Sequence, residues 1–120
     1  MGGYFPASAF APFYDTTVAF HGERPGVRPV NLAVNCNVIE DVADVPGEAV
    51  APTLERRFII SFRRDDWKEA TPPQIGEWMG FKWAGERIWT RADNVAHMPD
   101  GEWIIYATSK PAVRGPTWLP

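Results

Sequence analysis

Alternation of apolar and polar residues is the strongest signal along this chain. It is cleanest over residues 30–40 and 54–63, where apolar residues recur at every second position. Successive side chains of a strand point to opposite faces, so a period of two places one set against a core. The residues predicted to face the core in these two segments are Leu32, Val34, Cys36, Val38, Phe58, Ile60 and Phe62.

Other runs rich in β-forming residues lie between glycine and proline turns, at residues 14–21, 77–83, 87–96 and 102–109. Strands this short must close or stack to cover an apolar face. The pattern therefore predicts a mainly β fold, a small β-barrel or β-sandwich of about six strands. At most one short helix is expected, near residues 65–70, with Asp65 or Asp66 as its N-cap.

The chain divides into a single β domain over residues 14–110, an N-terminal arm over 1–13 and a C-terminal tail over 111–120. Within the domain, residues 40–52 contain four acids, no base, two prolines and a glycine. This composition resists both helix and sheet, and the segment is long for a connector. We expect it to be a mobile acidic loop, either functional or disordered.

Charge and length exclude several classes of protein. The 120 residues suit one domain, and twelve bases against fifteen acids give a net charge of −3. Such a chain is not built to bind nucleic acid tightly. The start of the chain has no basic segment followed by an apolar one, and no stretch approaches the roughly 20 apolar residues of a membrane span. We expect a cytosolic protein or part of an assembly made in the cytosol.

Residues that could carry catalysis or bind a metal are few. His21 and His97 lack the spacing of a metal site, and the single Cys36 lies in an alternating run, typical of a small buried side chain. A helix cap explains Asp65 and Asp66 more simply than a catalytic carboxylate pair does. We therefore expect no enzyme, no metal and no cofactor.

Six tryptophans are the most unusual feature of the composition. Those in predicted strands fall on different faces, which favours core and cross-strand packing over a stacking platform for sugars or bases. Trp67 and Trp118 lie outside the predicted strands. Tryptophan is enriched where binding energy concentrates, so we expect these two to contact partners.

Neighbouring segments of opposite charge give a second set of candidates. The acidic loop precedes a strand that begins with two arginines, and the loop of one subunit could meet the strand end of the next. The alternative is an ordinary solvated surface. The aromatic arm could pack on its own domain or on another chain. The predicted interface residues are Tyr4, Phe5, Phe10, Phe13, Glu40, Asp41, Asp44, Glu48, Arg56, Arg57, Trp67 and Trp118.

The order of features resembles the head-to-tail joining (neck) proteins of tailed bacteriophages. It runs from the strand FYDTTVAF through a second strand, a long loop and FIISFRRDDW to PPQIGEWMGFKWAGERIWTRADNVAHMPDGEW. The resemblance covers roughly residues 14–110 and is one of pattern and length. The positions that match the family's final segment are Pro73, Gly76, Glu77, Gly85, Asp93 to Val95, Gly101 and Trp103 to Thr108.

This resemblance implies a β-barrel or sandwich protomer that forms a ring, with a hexamer as the expected size, in the neck of the virion. Its partners would be copies of itself, a portal or adaptor protein on the capsid side and a tail protein on the other. DNA would pass through the lumen without specific binding. Tail-terminator and other small tail proteins share parts of the pattern. From the residues alone, a tryptophan-rich ligand-binding barrel and a small enzyme of another type stay open.

Overall fold

The computed structural model describes residues 14–41, 55–110 and 115–119. These residues form six strands, all with antiparallel neighbours. In chain order the strands are β1 (Thr16–Gly22), β2 (Ala33–Glu40), β3 (Arg56–Arg63), β4 (Trp78–Trp83), β5 (Glu86–His97) and β6 (Glu102–Ser109). None of the described residues belongs to a helix with the length and apolar composition needed to cross a bilayer.

The strands close into a barrel in the order β1-β2-β3-β6-β5-β4. Two consecutive meanders, β1-β2-β3 and β4-β5-β6, are joined along the seams β3–β6 and β1–β4. The prediction of a small six-stranded β-barrel is confirmed. Closure gives every strand two hydrogen-bonded neighbours, although β1 pairs with β2 over Thr16 to Ala19 and with β4 only over Ala19 to Gly22.

The core fills the barrel interior with the alternate residues of each strand, as the period of two requires. Phe20, Phe58, Phe62 and Phe81 are all at most 1% exposed, and their rings meet edge to face. Cys36 is among the fully buried residues, in agreement with its sequence pattern. Burial raises the pKa of its thiol, so the side chain serves as a small apolar group.

The segment between β3 and β4 crosses one end of the barrel, which we call the upper end. It begins with a single 3-10 turn over Arg64–Asp66. The N-cap of this turn is Arg63, without a side-chain cap bond, so the predicted capping by Asp65 or Asp66 is wrong. The turn ends as soon as Trp67 enters the core, since that side chain has to reach inward between Phe20 and Phe62.

Candidate functional site

A buried ion pair seals the upper end. Arg28 and Glu77 lie on separate loops, and each side chain is only 1% exposed. Glu77 accepts from Arg28 Nε at 3.1 Å and Nη2 at 2.8 Å, and from the Gly22 N–H at 2.6 Å. Arg28 also donates to the carbonyls of Thr71 and Pro72 and lies over the Trp67 ring. Sequence reasoning missed this pair, because no local pattern indicates that the loop carrying Arg28 meets the residue before β4.

The other end of the barrel, which we call the lower end, gathers the segments that sequence analysis assigned to partner contact. Because neighbouring strands are antiparallel, β1, β3 and β5 begin there, and β2, β4 and β6 end there. The chain therefore enters β1 from residues 1–13, leaves β2 toward the acidic loop and leaves β6 toward the tail at one and the same end. The two ends of the protomer are chemically different.

A charged cluster stands on the rim of the lower end. Arg56 donates to Glu40 through Nε and Nη2, both at 2.8 Å, and Trp83 Nε1 donates to the same carboxylate at 3.1 Å. The bonds from Arg56 and Trp83 hold the pKa of Glu40 below its ordinary value against a smaller opposing effect of burial. Glu40 and Arg56 are thus partners within one chain. Of the predicted interface charges at this rim, Asp41 and Arg57 are the exposed ones.

The outer surface of β2, β3 and β6 carries an apolar row formed by Ile39, Ile59 and Tyr106. Their positions pair directly, Ile39 with Ile59 and Ile59 with Tyr106, so the three side chains stand side by side on the outside of the barrel. Ile39 is 51% exposed and Tyr106 is 42% exposed. An apolar row in water is typical of a surface that another molecule covers.

Charged residues of both signs border this row toward the lower end. They line a depression of about 330 Å³ beside Tyr106. The carboxylates there are Asp41, Glu55 and Asp93, and the bases are Arg57 and Lys110. An apolar centre within a polar, charged rim is the usual anatomy of a protein interface. The arrangement therefore has the composition of a surface that can contact another protein.

A second outer surface, on β4 and β5, is partly covered by the tail. Trp89 packs so closely on the backbone of Gly115 that a Cβ there would lie 2.8 Å from its ring. Pro116, the next residue, is buried. The segment 115–119 is therefore docked on the barrel. Beside it, a groove of about 430 Å³ runs between Trp78 and Trp89.

The predicted contact residues outside the charged cluster have three different outcomes in the structure. Trp67 is 7% exposed and donates to the Thr71 carbonyl, so it is a core residue; its assignment as a partner contact is corrected. The prediction took a position outside the strands as a sign of exposure. A side chain on a loop that crosses the end of a barrel can instead be buried in the core. Trp118 is half-buried in the docked tail. The predicted contacts that lie outside the described residues are Tyr4, Phe5, Phe10, Phe13, Asp44 and Glu48.

The histidines take part in aromatic packing. His97 stacks on Trp103 at 4.7 Å, and His21 lies 5.4 Å from Trp89. Within the part of the chain that the structure describes, no three His, Cys, Asp or Glu side chains are grouped so that they could hold a metal ion.

Comparison of the chain with protein-family models, with curated proteins and with solved structures finds no match. The function of the chain is therefore inferred from its sequence pattern and from the surfaces described above.

Proposed function

We propose that this protein is a structural component of a tailed-bacteriophage virion, a neck protein that forms a ring and joins the DNA-filled capsid to the tail. The observation that carries the proposal is the polarity of the barrel. Its upper end is sealed by the Arg28–Glu77 pair and Trp67, whereas β1 begins and β2 and β6 end at its lower end, where the sequence continues into the arm, the acidic loop and the tail. A connector needs two different ends, because it meets a different neighbour on each side.

The closed barrel also supports assembly through side chains. Because every strand of the barrel already has two neighbours, we expect contacts with other chains to use its outer surface rather than strand addition. The apolar row, with Ile39 and Tyr106 exposed, offers such a surface.

Charge is consistent with a DNA conduit. The net charge of the chain is −3. A wall that lets DNA slide should not bind its phosphates tightly, since phosphate contacts through Lys and Arg dominate DNA affinity. The proposed partners are further copies of the chain, a portal or adaptor protein and a tail protein. The proposed location is the virion neck, assembled in the host cytoplasm. A tail-terminator role would use the same surfaces.

The test is reconstitution of particles. Capsids filled with DNA but lacking this protein should fail to join tails, and the added protein should restore infectious particles. A chain lacking residues 1–13 should keep the fold and join tails less well, because an arm without periodicity adds little to a core but can add apolar area between molecules. Normal joining of capsids to tails without the protein would refute the proposal.

The groove between Trp78 and Trp89 favours one alternative of another class, a barrel that binds a glycan or a peptide. That function predicts saturable quenching of tryptophan fluorescence by such a ligand, lost in Trp89→Ala. A neck protein predicts no such response.

A further inference from the structure

A second depression lies on the opposite side of the barrel from the apolar row. It has a volume of about 560 Å³ and is lined by Asp15, Thr16, Thr17, Ala19, Lys82 and Arg87. These residues belong to β1, β4 and β5 and to the residue before β1, whereas the row belongs to β2, β3 and β6. In the barrel order, β4 and β1 lie across from β3 and β6. We call this surface the acceptor depression.

The two surfaces match in width and in position along the barrel. Each spans three adjacent strands, which is roughly 10 Å at the usual strand spacing. Each also lies toward the lower end: Thr16 and Thr17 begin β1, Lys82 lies just before the turn after β4, and Arg57 beside the row lies near the start of β3. Two surfaces at one level can join copies side by side without displacing them along the barrel axis.

The two surfaces carry an excess of opposite charge, negative around the row and positive in the acceptor depression. The surroundings of the row hold three carboxylates and two bases, and the acceptor depression holds two bases and one carboxylate. Lys82 and Arg87 are both exposed. Opposite charge around an apolar centre selects a partner and fixes its register more than it adds affinity.

We propose that the apolar row of one copy packs into the acceptor depression of the next copy, so that the chains associate head to tail. This rests on the ring assembly proposed above and names its two contact surfaces. Tyr106, the largest side chain of the row, is the principal side chain of the contact. Each copy gives its row to one neighbour and its depression to the other, and a fixed rotation between copies closes the ring. Packing of row on row would instead produce a two-fold dimer that uses each row once.

The experiment is cysteine cross-linking with a short bis-maleimide. One variant carries Asn94→Cys, which lies beside Tyr106 in the strand register, and the other carries Asn35→Cys, beside Thr17. Both positions are exposed and lie outside the residues that form the row and line the depression. Cys36 is 0% exposed and does not compete in the folded chain. Lys68→Cys, exposed near the upper end, is the control for random collisions.

A mixture of the two variants should cross-link into dimers about tenfold or more above mixtures containing Lys68→Cys, because a bound neighbour raises the effective thiol concentration. Either variant alone should stay at the control level. Adding Tyr106→Lys to the Asn94→Cys chain should remove the cross-link, whereas Ile75→Lys, at an exposed apolar residue elsewhere, should not.

Two results would overturn the inference. Asn94→Cys cross-linking as well alone as in the mixture would mean that row packs on row. A mixture no better than the Lys68→Cys control would mean that the two surfaces do not meet. The particle assay separates this inference from the proposed function: tail joining unimpaired by Tyr106→Lys refutes the contact alone, and joining that needs no added protein refutes the neck role alone.

Discussion

The Arg28–Glu77 pair gives the sharpest prediction about stability. We expect Glu77→Ala to lower the free energy of unfolding by about 3–5 kcal/mol, since removing one partner of a buried pair leaves an uncompensated charge. The Arg28 side chain would stay 1% exposed with only the carbonyls of Thr71 and Pro72 as acceptors. The Gly22 N–H would lose its acceptor as well.

This loss is large compared with the total free energy of unfolding of a domain, which is about 5–15 kcal/mol. At roughly 4 °C per kcal/mol for a chain of this size, the melting temperature should fall by about 12–20 °C. Urea unfolding followed by circular dichroism and tryptophan fluorescence measures the loss of unfolding free energy directly. The comparison requires that the slope of the unfolding free energy against urea concentration is the same for both proteins.

Glu40→Ala is the matched control, because Glu40 also binds an arginine through two nitrogens but at 25–35% side-chain exposure. Its cost should be about 0–1 kcal/mol. In a double-mutant cycle, Arg28→Ala together with Glu77→Ala should cost about as much as either change alone, since the second change removes the stranded group. Equal costs for Glu77→Ala and Glu40→Ala would refute this reasoning.

Two further predictions concern pH and the tail. Because the pKa of Glu40 is lowered in the folded state, the stability that this carboxylate contributes should be fully present above its unfolded pKa and be lost as pH falls through the lower folded pKa. The difference between wild type and Glu40→Gln in urea unfolding should therefore shrink toward pH 3, and a difference that grows there would contradict it. Gly115→Val should release the tail from Trp89, because Gly115 has φ +98° and no space for a Cβ, and the fluorescence emission should shift to the red while the circular dichroism stays constant. Gly101→Val, also at positive φ but with open space around it, should leave the emission in place.

Much of the fold follows from local pattern. The alternation around Phe58, Ile60 and Phe62 identifies the inner face of β3, and the turn residues identify the β4-β5-β6 meander. Strand β2 begins at Ala33, three residues later than its sequence run, since the preceding residues form the loop that carries Arg28. Pairing of β1 with β4 could not be predicted, because a period of two indicates which face is buried and not which strand is adjacent.

The same limit applies to the candidate site. Ile39, Ile59 and Tyr106 each stand at an outward position of their strand, and the sequence shows this for each of them separately. Only the register brings them together as one row. The ion pair of Arg28 with Glu77 likewise depends on two loops meeting at one end of the barrel, which no local signal indicates.

The seams of the barrel also determine when the chain can fold during synthesis. β1 pairs with β4 and β3 pairs with β6, so the first meander waits for partners that are synthesised later in the chain. Until Glu102–Ser109 leaves the ribosome, β3 keeps one unpaired edge that can capture other chains. A product ending before β6 should therefore be prone to aggregate, and a ribosome stalled there would hold an unfinished sheet.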